Sequence, residues 1–212
     1  AYEHHSQSSN RVFDHEILAV ILQELLLKYG VKLLLHTRFV DVQREGRMLG
    51  PAIVAGAAGL EALSAKVYID ASGGADLARA AGCATLPPGQ FGTLPASLMF
   101  FVRERPESVE PQLPKGWFRP VERAEDLPMT SVNWPNGPGG KAIKLKVIGH
   151  DSSDTEGFSQ LEMRARRRQW EILDYYQRQE KKPWHFDHAS PIIGLRETRR
   201  IAGDYVLTVT AI

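Results

Sequence analysis

Lys66-Val67-Tyr68-Ile69-Asp70-Ala71-Ser72-Gly73-Gly74-Ala75-Asp76-Leu77-Ala78-Arg79-Ala80-Ala81-Gly82 is the stretch from which the rest of the chain is read. A short β-branched run, Val67 to Ile69, meets small residues and two consecutive glycines. An Ala- and Leu-rich segment with helical spacing follows and closes at Gly82. The pattern predicts strand, tight turn, helix. In an α/β sheet such a turn lies at the carboxyl end of a strand, where ligands bind. Small residues there let backbone amides and a helix N-terminus approach a polar or anionic group.

Outward on both sides the pattern continues. Asp14 is placed to cap a helix whose apolar residues Ile17, Leu18, Ile21, Leu22 and Leu25 recur at three- and four-residue steps, with Gly30 as its left-handed terminator. Val31–Leu35 reads as a buried strand. Phe39–Val42 and Met48–Ala55 read as extended pieces around a turn at Glu45-Gly46-Arg47, and Gly56-Ala57-Ala58-Gly59 marks a second turn. Residues 1–12 carry no period. Residues 84–95 form a Pro- and Gly-rich connector, and Ala96–Arg103 reads as a strand. The proline-rich region 104–142 holds Trp117 and Trp134 in loop contexts, where an aromatic lining for a ligand is one reading and anchoring of the loop to the core the commoner one. Glu156–Lys181 is a second strong helix, whose arginines Arg164 and Arg166–Arg168 make a solvated or ion-paired face.

Composition bounds the function. In 212 residues, 26 Lys and Arg stand against 25 Asp and Glu, a balance that gives no support for a nucleic-acid partner. No apolar run has the length of a membrane span. The single cysteine, Cys83, rules out an internal disulfide and a cysteine-based metal site, and its small neighbours predict a buried, inert thiol. The compartment stays open, with the cytoplasm favoured. Trp184-His185-Phe186-Asp187-His188 has metal-ligating residue types, and a metal-dependent hydrolase built on them is one reading. Histidines three apart in an extended segment point to opposite faces, however, so no metal is expected.

Near the end stands Ile193-Gly194-Leu195-Arg196-Glu197-Thr198-Arg199-Arg200-Ile201-Ala202-Gly203-Asp204-Tyr205-Val206-Leu207-Thr208. Three arginines, a glutamate and a threonine within five residues, flanked by apolar segments, must be paired internally or face a ligand. This segment closely resembles the G-[IL]-R-E-[TS]-R-R-[IV]-x-G-x-Y-x-L-T signature of a group of bacterial FAD-dependent oxidoreductases with the glutathione-reductase-type flavin fold. Ile69–Ala78 resembles the I-D-A-T-G-D-A-D-[VL]-A signature of the same group. Ser72 stands for the usual Thr and keeps its hydroxyl; Gly74 stands for the usual Asp and lacks its carboxylate. Asp14-His15-Glu16 and Gly30–Thr37 match the family's D-x-E helix start and its G-V-x-[LI]-L-x-H-T strand.

The resemblance implies an α/β fold: the later half of an FAD-binding, Rossmann-like domain (a parallel sheet plus an antiparallel meander) with part of an α+β cap. The expected divisions are residues 1–95 for the flavin part, 96–192 for the substrate-facing cap, and 193–212 for a return toward the flavin. It implies FAD as cofactor, a small organic substrate, and hydride passing between the two. Flavin contacts are expected at Phe39 through its main chain, and at Ala71, Ser72, Gly73, Gly74 and Asp76. Arg196, with Arg199 second, is the candidate for holding a substrate carboxylate or the charge of reduced flavin. The same two arginines could instead pair with Glu197, Asp204 or a helix C-terminus. His36 reads as a strand-end residue bonded to backbone.

The dinucleotide fingerprint G-x-G-x-x-[GA] has one literal match, Gly137-Pro138-Gly139-Gly140-Lys141-Ala142. It lacks an apolar strand before it, and Lys141–Val147 after it alternates like a strand, so it is a hairpin-type loop. The chain is therefore expected to be a piece lacking an N-terminal βαβ unit that carries the true fingerprint. A non-catalytic domain that keeps the flavin fold without the cofactor is the alternative.

Overall fold

The computed structural model describes residues 14–86, 94–105, 107, 110–113, 116–135, 138–149, 152–196 and 198–205, without the side chains of 133–135. The chain folds as two units, residues 1–65 and 66–212. The expected sequence features at 1–12, the centre of the 84–95 connector, Gly137, Glu197 and Val206–Thr208 lie outside the described residues, as does the side chain of Trp134.

The first unit begins with α1 (His15–Lys28), capped as its sequence predicts. Asp14 Oδ1 accepts from the amides of Glu16 at 2.9 Å and Ile17 at 3.1 Å. At the other end Gly30 takes φ +71°, the Val31 amide donates to the Leu26 carbonyl, and that of Gly30 to the Leu27 carbonyl. This is a Schellman end, which satisfies carbonyls the helix leaves open. Three strands then form an antiparallel meander, β1 (Arg38–Glu45), β2 (Met48–Gly56) and β3 (Gly59–Leu63), with β2 central. Gly46 and Gly59 supply the positive φ its turns require. Val42, Ala52 and Val54 are its buried apolar residues.

The second unit is a four-stranded antiparallel sheet in the order β6 (Thr130–Pro135), β7 (Gly140–Val147), β5 (Ala96–Glu104), β8 (Trp184–Ala189), packed against α3 (Thr155–Arg178). Alternate residues of β5, Leu98, Phe100 and Val102, are fully buried with Ile143 and Leu145 of β7 and Ile172 and Leu173 of α3. Each such side chain contributes about 1.5–3 kcal/mol through burial. Of the GxGxxG-like stretch, Gly140, Lys141 and Ala142 open β7, where Lys141 pairs with Pro135 of β6. Ahead of the sheet come a short helix α2 (Asp76–Ala80) and β4 (Thr85–Leu86), which pairs with β9 (Arg200–Ile201) near the end of the chain.

Several expectations are corrected. The fold is mixed α and β, but every described strand pairing is antiparallel, so the parallel sheet of the Rossmann-like reading is not seen. Val31–Leu35 and Val67–Ile69, the two expected buried strands, lie outside any strand. Val67 is 75% and Ile69 87% exposed. A strand exists only through the ladder to a neighbour, and neither run has one among the described residues. His36 sits in a turn at φ +54° rather than at a strand end. Cys83 is exposed, not buried. Trp117 is exposed too, so it does not anchor its loop to the core. The arginines of α3 are paired as expected: Arg166 with Glu162 and Arg168 with Glu171, both at 2.6 Å.

His185 and His188 need a further correction. A bulge shifts the β5–β8 register, so that Phe101 faces His188 and Arg103 faces His185. Directly paired residues share a face, which puts both histidines on the same side of the sheet. His188 stacks on Phe101 with ring centres 4.3 Å apart. Among the described residues no three His, Cys, Asp or Glu side chains are grouped to hold a metal.

Candidate functional site

The turn that opened the sequence reading is organised by one carboxylate that the sequence reading did not single out. Asp70 Oδ1 accepts from the Ser72 amide at 3.0 Å and the Ser72 hydroxyl at 2.7 Å, while its Oδ2 accepts from the Ala78 amide at 2.9 Å. Ser72 Oγ accepts in turn from the Asp76 amide at 3.0 Å. Burial pushes the Asp70 pKa up, but the hydrogen bonds from the Ser72 hydroxyl and the Ala78, Ser72 and Leu77 amides outweigh it and hold the carboxyl below its ordinary value. An aspartate two residues before a serine, ahead of a helix start, is the sequence signal for such a turn.

This arrangement changes what the turn offers. The first amides of α2 are taken by Asp70 and Ser72, so the helix start does not present them to an anion. The serine hydroxyl kept in place of the usual threonine is part of the turn's own wiring. Gly73 adopts φ +78° and Ala75 φ +54°. Ala71, Ser72 and Gly73 are exposed; Gly74 and Asp76 are half-buried.

The arginine-rich segment returns to this turn. Ile193 is buried in the core, and Gly194 exchanges two backbone hydrogen bonds with Ser97 at the start of β5, at 2.9 and 2.8 Å. The chain then leaves the sheet. Arg196 is exposed and has no partner among the described residues. Arg199 is drawn in: its side chain is 20% exposed, Nη1 lies 3.5 Å from Asp76 Oδ1, and Nη2 donates to the Ser153 carbonyl. Of the expected partners neither Asp204 nor a helix C-terminus holds Arg199; Asp76 and the lead-in to α3 do. Between the two arginines, Thr198 Oγ1 is buried and has no hydrogen-bond partner among the described residues.

Gly74 lies against that hydroxyl. A Cβ added to Gly74 would stand 3.2 Å from Thr198 Oγ1 and 3.2 Å from Asp76 Oδ1. The structure thus brings Ser72, Gly74 and Asp76 together with Thr198 and Arg199, although they are more than a hundred residues apart in sequence. Phe39, in the first unit, is half-buried in β1 opposite Val54. β1 is an edge of its sheet, and among the described residues the outer edge has no strand partner, which leaves backbone groups open there.

By its family the chain falls in the flavoprotein class. It matches the family model described as FAD dependent oxidoreductase over residues 1–212 and belongs to that family. No curated protein and no solved structure matches it. FAD is accordingly its cofactor. The residues fit such a group at one point: a buried hydroxyl with no hydrogen-bond partner among the described residues lies beside the bare backbone of Gly74 and offers a donor. No helix among the described residues is long and apolar enough to cross a membrane.

Proposed function

We propose that the protein moves hydride between a small organic substrate and FAD, and that the flavin is met at the Ser72–Asp76 turn together with Thr198. The Thr198 hydroxyl beside Gly74, without a hydrogen-bond partner among the described residues, is the observation that carries the location. A buried donor with no partner costs about 1–3 kcal/mol, and a ligand oxygen accepting from it would remove that cost. When bound, FAD supplies the two-electron carrier. The chain's own residues bind and orient. Ser72 and Asp70 hold the backbone of Gly73 and Gly74 in one shape. Arg196, exposed and unpartnered among the described residues, binds a substrate carboxylate through two parallel hydrogen bonds or balances the negative charge of the reduced cofactor. The sheet of β5 to β8 with α3 serves as the substrate-facing cap. No residue is assigned as a general base.

We also propose that a further segment of the same protein, carrying the pyrophosphate-binding loop, covers the apolar residues of α1 and pairs with the Val31–Leu35 run. Their exposure supports this. On that reading residues 1–212 alone bind FAD weakly, and a tight complex would overturn it.

The visible absorption spectrum of the protein purified together with that further segment tests the main reading. Flavin bands that bleach with a reductant are expected. A colourless, folded protein that ignores added FAD would overturn it in favour of a non-catalytic domain, for which Gly74 in place of the family's aspartate speaks.

A further inference from the structure

The internal hydrogen bonds of the Asp70–Ala78 turn fix its shape, but they do not fix its place. Among its attachments to the rest of the second unit are these two. One is the β4–β9 pairing, two residues from each side, extended by the Ala202 amide donating to the Ala84 carbonyl at 2.9 Å. The other is the guanidinium of Arg199. It reaches the turn at Asp76 and, from its other nitrogen, the Ser153 carbonyl just ahead of Asp154, the N-cap of α3. Ser152 beside it is buried, so this lead-in is part of the packed body. A planar fork with two partners in fixed directions joins two segments in a way a point charge does not.

We propose that Arg199 is a positioning residue: it latches the flavin-facing turn onto the α3 lead-in, so that cofactor affinity depends on the Arg199–Asp76 pair without either side chain needing to touch the cofactor. The inference rests on the location proposed above. It assigns the two arginines different work, Arg199 to the frame and Arg196 to the ligand. Asp76 on this reading serves the latch rather than touching the cofactor.

A double-mutant cycle in the holoprotein tests it, with FAD affinity read by flavin fluorescence after removal and return of the cofactor. Asp76→Ala is expected to weaken FAD about fivefold, as befits a partly exposed ion pair, and Arg199→Ala about tenfold, since it also loses the carbonyl bond. The double variant is expected to bind no more weakly than Arg199→Ala, because both substitutions open one latch. Arg199→Lys should recover only part of the loss. Amide exchange should rise at Ser72–Ala78 and stay unchanged in α3. Fully additive losses, or unchanged affinity and exchange, would overturn the proposal. Should Arg199→Ala fail to fold, Asp76→Asn keeps the shape and opens the same latch. If the unaltered protein takes up no FAD, the flavin reading fails by itself. The exchange rates then still decide: faster exchange at the turn in Arg199→Ala upholds the latch, and no change overturns it.

Discussion

The helices α1 and α3 were equally legible in the sequence, and the structure treats them in opposite ways. Both begin at an aspartate cap, Asp14 and Asp154, and both show apolar residues at helical spacing. α3 buries Leu161, Ala165, Ile172 and Leu173 against the four-stranded sheet. α1 has no buried residue, and Leu22 is 48% exposed. Periodicity therefore specifies a helix and an apolar face, whereas burial needs a partner that the pattern does not name.

Substitutions in the two regions sharpen the contrast. The largest effect is expected in the sheet: Phe100→Ala should destabilise the second unit by about 3–5 kcal/mol in denaturant unfolding, since Phe100 is fully buried. Leu22→Ala in α1 should change stability by less than about 0.5 kcal/mol, and a loss of several kcal/mol would show that α1 is buried in the working protein.

The caps give the next comparison. Asp154→Ala should lower global stability by about 1 kcal/mol, because α3 folds with the core. Asp14→Ala should fray only α1, seen as faster amide exchange with the global unfolding midpoint unchanged.

Acid acts on Asp70. Its folded-state pKa is depressed, so its contribution is fully present above the unfolded value and is lost as pH falls through the folded one. Stability should decline below about pH 4, and Asp70→Asn should flatten that part of the profile while costing about 1 kcal/mol at neutral pH. An unchanged acid limb would remove Asp70 from the turn's framework.

At Gly74 the expected stability effect is also small. Its φ is not positive, and the atoms a Cβ would meet are side-chain oxygens that can give way. Gly74→Ala should cost below about 1 kcal/mol in stability while weakening FAD, read by fluorescence. Equal affinity would separate the Thr198 notch from the cofactor.

Much of the fold was legible. The Asp14 and Gly30 helix ends, the Gly46 and Gly59 turns of the meander, the strand character of Lys141–Val147 and the α3 helix all rest on local chemistry that a sequence displays. The candidate site was legible only in part. Its two motifs could be recognised, and Arg199 was marked, but its partners Asp76 and Ser153 come from distant segments. Thr198 gave no signal, since a hydroxyl becomes conspicuous only when the fold buries it unpaired. The same limit misjudged Val31–Leu35 and Val67–Ile69, whose apolar side chains predict strands that no neighbour completes.

By itself, then, the sequence determined where helices cap, where glycines turn the chain, and which two motifs carry the family likeness, because these depend on contacts within a few residues. Only the tertiary structure decided that Asp70 closes the turn, that Arg199 pairs while Arg196 stays open, that a bulge puts His185 and His188 on one face, and that α1 is left uncovered. Those outcomes depend on which distant surface meets which, and that is set by packing rather than by pattern.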